Sequence, residues 1–490
     1  MKKLLFGFLV LTIVSATAQK DKKLTDKTVN KASIQAHLKF LSSDALEGRD
    51  TPSQGLTVAA EYIRTQLELY GVKPFEKYPD YFQPVPMKKV IRPSQGEIKV
   101  DTSTYNIGED FLLINGGNLD INAEVVFLEY ATPAEIESAE VKGKIIVANA
   151  GDGNDVSPKA WYGLISDKRK AARAAGAVAV VELYNSAQIP WQLLVRYLSG
   201  DQVVLDEGDT EDSFPSIWVN NPNQAASPVF KDADSLSINT SGASEDAFVV
   251  ANVVGYVEGS DSNLKEDYVV YSAHYDHVGI GKPDATGDSI YNGTRDNAIG
   301  TVTVLEAAKN LATYPTKRSS LFILFAGEEK GLLGSKWYVD HSAVPLEDIV
   351  FCFNSDNAGY NNTSLATVIG LYRTTAEELL IEAIETYGLK AGDDENYKEQ
   401  GLFDRSDNVS FAKKGIPAPS FGMGMDSFDE KLLSTYHQPA DEFETVDMDY
   451  LYTFYRAYVL SGQFIGNMKE TPFWKEGDKY YEAGVELYNK

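Results

Sequence analysis

After Val250 the sequence alternates apolar strand-like runs with amphipathic helical ones. The runs DYVVYSA, SSLFILFAG and DIVFCFNS are almost continuously apolar, and the segment NAIGTVTVLEAAKNLA between the first two has the apolar spacing of a helix. Strands that are apolar on both faces must be covered on both faces, which is typical of parallel sheets with helical crossovers. The pattern therefore predicts an α/β fold with a doubly wound, mostly parallel sheet flanked by helices.

Side chains that can bind a metal ion follow these strands or lie in the loops between them. Parallel sheets bind ligands outside the carboxyl ends of their strands, so we expect these side chains to converge. The candidates, in chain order, are His274, Asp276, Asp296, Glu328, Glu329 and Asp356. Two further candidates, Tyr436 and His437, lie in the later loop STYHQPADEF.

This mixture of imidazoles and carboxylates suits zinc. One zinc ion needs about three protein ligands, whereas this set offers enough for two ions if one carboxylate bridges them. Two metal ions can activate a shared water molecule, and an acid–base residue must then stay free to move protons. The adjacent carboxylates Glu328 and Glu329 are explained if one binds metal and the other is the general base.

Charge and the N-terminal segment exclude other classes of protein. The formal net charge of −26, with no stripe of Lys and Arg, argues against a nucleic-acid partner. Residues 1–18 combine two lysines, a short apolar run and the small residues Ala16 and Ala18, which is typical of a secretory signal peptide. The run is too short for a membrane anchor, so the sequence predicts an exported protein, periplasmic or secreted.

Changes of pattern along the chain predict an inserted module. Two helical stretches give way to short alternating strands near residue 96, and the strand–helix rhythm begins near residue 248. The predicted segments are a signal peptide (1–18), an N-terminal helical part of the larger domain (31–95), a smaller inserted module (96–247), the main α/β domain (248–470) and an amphipathic C-terminal tail (471–490).

Five motifs resemble, in order, those of the co-catalytic zinc exopeptidases, which include bacterial leucyl-type aminopeptidases and glutamate carboxypeptidase. The motifs are HYDHVG, NGTRDNAIG, FAGEEKGLLGS, FNSDNAG and STYHQPADEF. The resemblance implies the zinc exopeptidase fold, two Zn²⁺ per chain and peptide substrates. The metal ligands that it implies are His274 and Asp356 on one ion, Glu329 and His437 on the other, and Asp296 as the bridge.

The resemblance also implies roles for three residues that bind no metal. Glu328 would be the general base. Asp276 would orient a histidine ligand. Tyr436 would hydrogen-bond the substrate's carbonyl oxygen as negative charge develops on it. A cis peptide bond is implied at Asp296–Asn297.

Two other stretches are similar to known segments. VKGKIIVANAGDG, followed by KRKAARAAGAVAVVELYN, resembles a protease-associated domain, a β-rich α/β module, and this resemblance assigns the inserted segment. DRSDNVSFAKKGIPA resembles a family segment that lines the substrate region, with Asn408 where the family usually has histidine. That departure bears on substrate preference and not on metal binding.

Other acids and histidines are expected to play no part in the metal centre. His277 has no partner motif and is expected to be structural. Asp441 is equally consistent with a residue that supports a ligand and with a cap. Asp284 and Asp288 lack the spacing of a calcium-binding loop, which favours a solvated turn.

The expected function is that of a metallopeptidase, and the resemblance favours an aminopeptidase that releases N-terminal residues. Three alternatives stay open. The first is a carboxypeptidase of the same family, in which Arg405 would bind the free carboxylate. The others are a one-zinc glutaminyl cyclase and a non-catalytic binding protein on the same fold.

Overall fold

A computed structural model describes residues 19–154, 158–186, 188–208 and 213–489. The signal-peptide prediction for residues 1–18 lies outside these ranges. Within them, no helix is both long enough and apolar enough to cross a membrane.

The chain forms two compact units. Unit 1 combines the described parts of Met1–Val85 and Val249–Lys490, and unit 2 is Pro86–Phe248. Unit 2 begins earlier than residue 96, where the change of pattern places the module, because its boundary falls inside a continuous strand. No change of hydropathy marks such a point in the sequence.

The strands, in chain order, are β1 (Phe82–Ile91), β2 (Gln95–Val100), β3 (Ser103–Asn106), β4 (Phe111–Asn115), β5 (Leu119–Phe127), β6 (Ile145–Asn149), β7 (Ala179–Tyr184), β8 (Gln202–Leu205), β9 (Ser216–Asn220), β10 (Ser235–Ser241), β11 (Ser244–Val257), β12 (Tyr268–His274), β13 (Gly279–Ile280), β14 (Ile290–Tyr291), β15 (Ser319–Phe325), β16 (Ile349–Ser355), β17 (Leu365–Ile369), β18 (Lys390–Gly392) and β19 (Ser420–Met423).

The helices are α1 (residues 19–28), α2 (Lys31–Leu41), α3 (Gln54–Tyr70), α4 (Pro133–Ser138), α5 (Pro158–Ala174), α6 (Trp191–Leu198), α7 (Ser227–Lys231), α8 (Gly300–Thr313), α9 (Leu333–Asp340), α10 (Glu377–Glu385), α11 (Asn408–Lys413), α12 (Glu430–Leu433), α13 (Met448–Asn467) and α14 (Tyr481–Tyr488).

The sheet of unit 1 is mostly parallel, as the sequence predicts. Its strands lie in the order β18-β17-β19-β16-β12-β15-β11. The pairs β19–β16, β16–β12, β12–β15 and β17–β18 are parallel, whereas β17–β19 and β15–β11 are antiparallel. The carboxyl ends of β15, β12 and β16 therefore meet at one edge of the sheet.

Helices cover both faces of this sheet. Alternate residues of the central strand β12 enter different apolar clusters, because successive side chains of a strand point to opposite faces. Val269 and Tyr271 pack in the cluster formed with α2, α3, α8 and α13. Val270 packs in the cluster formed with α9, α11 and residues Trp474 and Tyr480 of the C-terminal tail. This arrangement confirms the doubly wound α/β architecture.

Unit 2 is a β-rich α/β unit with its own core. Its sheet has the order β3-β2-β10-β5-β6-β7-β9-β4, in which the neighbouring pairs from β5 to β9 are parallel. A buried ion pair joins helix to sheet: Lys168 Nζ lies 2.5 Å from Glu182 Oε1, and Trp218 Nε1 donates to Glu182 Oε2 at 3.2 Å. Both charges are thus paired, as burial requires.

Stability of unit 1 should depend on the contact between its central sheet and α13. The ring of Phe353, fully buried in β16, stacks on Tyr458 with centroids 4.4 Å apart. We expect Phe353→Ala to lower the free energy of unfolding by about 3–5 kcal/mol, because it leaves a cavity. The control Leu69→Ala, at a side chain 74% exposed, should change it by less than about 0.5 kcal/mol. Urea unfolding followed by circular dichroism tests this, and equal effects would contradict the packing.

Candidate metal centre

The predicted metal-binding side chains converge at the carboxyl edge of the unit 1 sheet. His274 is the last residue of β12, and the segments with Glu328, Glu329 and Asp356 follow β15 and β16. Asp296 lies in the loop Thr294–Ile299 that leads into α8. His437 reaches the same place from the loop between α12 and α13, with a left-handed backbone (φ 52°). The residues brought together are His274, Asp296, Glu328, Glu329, Asp356 and His437.

Asp296 lies between two imidazoles. Its Oδ1 is 3.4 Å from His274 Nε2, and its Oδ2 is 3.0 Å from His437 Nε2. The first imidazole also lies 3.2 Å from Asp356 Oδ1, and the second lies 3.3 Å from Glu329 Oε1. One carboxylate therefore faces two separate pairs of donors.

The donor atoms form two groups that fit metal ions. Within each group the donor atoms lie within 4.8 Å of one another. The two groups together contain four carboxylates and three imidazoles, a donor set that would attract a divalent cation. The two groups are His277, Asp296, Glu329 and His437, and His274, Glu328 and Asp356.

Protons take the place of cations when no metal is bound. Burial lowers the pKa of His437, but hydrogen bonds to Asp296 and Glu329 outweigh burial and raise it to about 10. Burial likewise opposes the charged form of His274, and the carboxylates of Glu328 and Asp356 raise its pKa well above the usual range. Both histidines therefore hold a proton at neutral pH that a metal ion would displace.

The two adjacent glutamates lie in different surroundings. Burial and the neighbouring Asp296 raise the pKa of Glu329, yet hydrogen bonds from His277 and His437 lower it to about 2. For Glu328, burial dominates and raises the pKa well above the usual range of a carboxyl group, although His274 opposes it. The environment thus makes Glu329 a stable anion and Glu328 a better proton acceptor.

Asp276 is buried behind the centre and holds two segments in place. Its Oδ1 accepts the backbone N–H of Glu328 at 3.2 Å, and its Oδ2 accepts the hydroxyl of Thr51 at 3.1 Å. The nearer contact of His274 Nδ1 is the backbone carbonyl of Asp276, at 3.2 Å, whereas the carboxylate is 3.7 Å away. The ring is therefore oriented by the carbonyl oxygen of this residue more than by its carboxylate.

Arg49 is a supporting residue that sequence reasoning missed. Its guanidinium is buried and donates to the carbonyl oxygens of Tyr275 at 2.8 Å, Asn292 at 2.8 Å and Gly293 at 3.0 Å. Burial lowers its pKa to about 10, so the group stays charged at neutral pH. It ties the loop after β12 to the loop that carries Asp296. The signal in the sequence was the arginine of HLKFLSSDALEGRDTPSQG, to which no contact could be assigned.

His277 was expected to be structural, and the structure places it against a candidate ligand. Its Nδ1 lies 2.9 Å from Glu329 Oε1. Its Nε2 is buried and has no hydrogen-bond partner among the described residues, so the proton belongs on Nδ1, which donates to the carboxylate. A Cβ on Gly293 would lie 2.5 Å from the His277 ring, so glycine leaves room for it. In the sequence, a role for His277 near the metal centre is indicated by its position directly after His274-Tyr-Asp.

Asp441 supports the segment that carries Asp296. Its Oδ2 accepts the backbone N–H of Arg295 at 2.8 Å and that of Asp296 at 3.3 Å, and its Oδ1 lies 2.7 Å from Arg295 Nη1. This is the supporting role that the sequence left open against a simple cap. The Asp296–Asn297 peptide is cis, as the resemblance implies.

A cavity of about 110 Å³ lies beside the two donor groups. Tyr436 lines it, and the Tyr436 ring stacks on His437 with centroids 4.2 Å apart. Arg405 also lines it and has no ion-pair partner in the described part of the chain. Asn408 lies outside it, buried, with Nδ2 donating to the carbonyl oxygens of Phe403 and Ala418. The apolar side chains of the wall include Ile369, Leu402, Met423, Met425 and Phe428.

Comparison with known proteins identifies a region and a fold. Residues 252–460 match the model of Peptidase family M28. The chain is 31% identical to Aminopeptidase YwaD of Bacillus subtilis (strain 168) over 322 residues, which are 64% of this chain and 60% of that protein. It is 22% identical to probable leucine aminopeptidase 2 of Aspergillus oryzae over 314 residues, 62% of this chain and 53% of the relative. Each alignment covers less than two thirds of the relative.

A solved structure shares the fold. The aminopeptidase from Aneurinibacillus sp. strain AM-1 superposes with a TM-score of 0.57 and 20% sequence identity. The superposition covers 93% of this chain and 97% of that one.

Zinc binding to the metal-free protein should release protons. His274 and His437 hold protons at pH 7 and must lose them to bind metal, so we expect about two protons released per chain. Calorimetric titration in two buffers of different ionisation enthalpy measures this number. His437→Gln should lower it by about one, whereas the exposed control His341→Gln should not change it. A binding heat independent of the buffer would contradict the protonated state.

Proposed function

We propose that the chain is a zinc-dependent aminopeptidase that hydrolyses peptide bonds and releases N-terminal residues, a proposal that the match of residues 252–460 to the model of Peptidase family M28 supports. The observation that carries the proposal is the placement of Asp296 between two pairs of side chains, His274 with Asp356 and His437 with Glu329. Glu328 is then left as an acid–base residue beside them. Two relatives named aminopeptidases support the same activity.

The donor atoms suggest how two zinc ions would be held. We assign His274 and Asp356 to one ion, Glu329 and His437 to the other, and Asp296 as the bridge. The contacts of 3.0 to 3.4 Å between these side chains support the assignment. His277 would fix the rotamer of Glu329 through its hydrogen bond and leave the other oxygen of that carboxylate for metal.

Two zinc ions at this place would lower the pKa of a water molecule and polarise the carbonyl group of a substrate. Glu328 then takes the proton of the attacking water, a role that its raised pKa supports, and delivers it to the leaving amine. Its backbone is held for this by Asp276. The hydroxyl of Tyr436, which has no hydrogen-bond partner among the described residues, donates to the oxyanion that forms on attack.

A carboxypeptidase is the second candidate, and Arg405 is the observation that favours it. This arginine is exposed in the cavity wall and could pair with the free carboxylate of a peptide. A one-zinc cyclase or a binding protein is less favoured, because both donor groups keep their full set of side chains.

Two further assignments complete the proposal. The signal-peptide pattern of residues 1–18 supports export to the periplasm or medium. The strand–helix pattern of VKGKIIVAN and KRKAARAAGAVAVVELYN supports a protease-associated domain in unit 2, where these residues form β6, α5 and β7.

Replacement of the proposed general base should separate binding from chemistry. Glu328→Gln keeps the shape of the side chain and removes its proton affinity, so we expect kcat to fall by roughly 10²–10⁴ with zinc content unchanged. Elemental analysis and steady-state kinetics measure the two quantities. The matched control is Glu482→Gln on the exposed side of α14, which should leave both unchanged. A variant at position 328 with normal kcat would remove Glu328 from the mechanism.

Substrate class is tested with short peptides whose termini are free or blocked. We expect cleavage that requires a free N-terminus, stops with a chelator and returns with zinc. Cleavage that requires a free C-terminus instead would establish the carboxypeptidase and assign Arg405 to the carboxylate. No cleavage of any peptide by the zinc-loaded protein would contradict both.

A further inference from the structure

The C-terminal segment Trp474–Tyr480 contacts the loop Gly401–Ser406, which forms one wall of the cavity beside the metal centre. Leu402, Arg405 and Ser406 of this loop line the cavity, whereas the two residues between them, at 403 and 404, do not. Those two residues make the contacts with the C-terminal segment. The loop therefore has one side on the cavity and the other side on the tail.

Asp404 is the polar contact between loop and tail. Its Oδ1 accepts the hydroxyl hydrogen of Tyr480 at 2.8 Å, and its Oδ2 pairs with the ammonium group of Lys479. Burial raises the pKa of Asp404, but the hydrogen bonds from Lys479 and Tyr480 outweigh burial and lower it. Hydrogen bonds to a charged group are shorter and stronger than neutral ones.

Arg373 joins the same two segments through its flat guanidinium. The group lies over the Phe403 ring, 3.8 Å from its centroid, in the geometry of a cation–π contact. Its edge donates to both oxygens of Asp478, at 2.6 and 3.0 Å. The cation is therefore held between an aromatic ring of the loop and a carboxylate of the tail, and the position of either segment constrains the other.

The tail itself is fixed to unit 1 by other contacts. The Trp474 ring is buried, and its Nε1 donates to the carbonyl oxygen of Gly415 at 2.8 Å. The backbone N–H of Lys475 donates to the carbonyl oxygen of Arg373 at 2.9 Å. A segment anchored in this way can transmit its position to the loop, which a free tail could not.

The loop is held from a second direction by Asn408. The Nδ2 of this residue donates to the carbonyl oxygens of Phe403 and Ala418, both at 3.1 Å. In addition, a Cβ at Gly370 would lie 2.7 Å from the Phe403 ring, so the end of β17 also packs directly against the loop. Phe403 is thus fixed by backbone, ring and cation contacts together.

We propose that Trp474–Tyr480 is a strut that positions the loop Gly401–Ser406 and thereby selects the substrate side chain that the cavity accepts. Arg373, Asp404 and Tyr480 are positioning residues, since none of them lines the cavity. The selection of a side chain rests on the proposed peptidase function, whereas the positioning of the loop does not.

The test compares Asp404→Asn and the double variant Asp404→Asn/Tyr480→Phe with the wild-type protein. Asp404 is exposed and Tyr480 is buried, but each substitution keeps the size and shape of its side chain, so the fold should be kept. The control is Glu486→Gln, the same acid-to-amide change on the exposed side of α14. Hydrogen–deuterium exchange of the peptide that contains residues 401–406 reports positioning directly, and we expect it to become several-fold faster in the variants only.

Steady-state kinetics test whether the loop selects the substrate side chain. For leucyl and methionyl substrates, whose side chains would extend toward Leu402, we expect KM to rise by roughly three- to tenfold in the double variant. For an alanyl substrate KM should change by less than about twofold, and kcat and zinc content should stay unchanged for all substrates.

The two measurements distinguish the possible failures. Unchanged exchange in the loop would overturn the strut. Faster exchange with an unchanged leucyl-to-alanyl ratio of KM would overturn selection by the loop, and loss of zinc or a uniform fall in kcat would show instead a general structural role. If the wild-type protein cleaves no peptide, the proposed function fails, and the exchange rates still decide whether the tail positions the loop.

Discussion

The carboxylate of Asp296 is the contact on which the candidate metal centre depends. It faces an imidazole from β12 on one side and an imidazole from a distant loop on the other. The carboxylate can do this only if its own backbone is fixed. Asp441 provides this fixation through the N–H groups of residues 295 and 296, and Arg49 provides it through the carbonyl groups of residues 292 and 293.

These supporting contacts are themselves buried charges, and each must be compensated. Asp441 is paired with Arg295, whose guanidinium also lies over the ring of Tyr360, and Arg49 ends on backbone carbonyl groups. A buried ion without such partners is costly by several kcal/mol. Removal of one partner would therefore disturb the ligand segment as well as the pair. The centre thus consists of a set of donors and of a layer of paired charges that holds them.

The sequence predicts which candidate donors converge at the edge of the sheet, but it predicts little of the layer that supports them. Apolar periodicity identifies β12, β15 and β16, and because parallel strands end at one edge, it also brings His274, the Glu328–Glu329 pair and Asp356 together. The supporting role of Arg49 cannot be predicted in this way, because its acceptor Asn292 is 243 residues away and no local pattern encodes such a contact. The contact of His277 cannot be predicted for a different reason. This residue lies three positions after His274, and spacing alone does not show which carboxylate the second ring contacts.

Local sequence patterns also fail to predict the boundary of unit 2 and the contacts that hold the cavity wall. A boundary inside β1 leaves no trace in composition, and contacts between the tail and the cavity loop depend on side chains separated by about 75 positions, as for Asp404 and Lys479. The candidate metal donors and the cavity loop are therefore held in place by different parts of the structure. Three of the candidate donors, His274, Glu329 and Asp356, lie at or just after strand ends that the core of the sheet fixes. One wall of the cavity, in contrast, is a loop whose position comes from surface charges and aromatic contacts. Because the loop Gly401–Ser406 contains none of the candidate donors, substitutions that displace it can alter the accepted side chain without altering the metal donors.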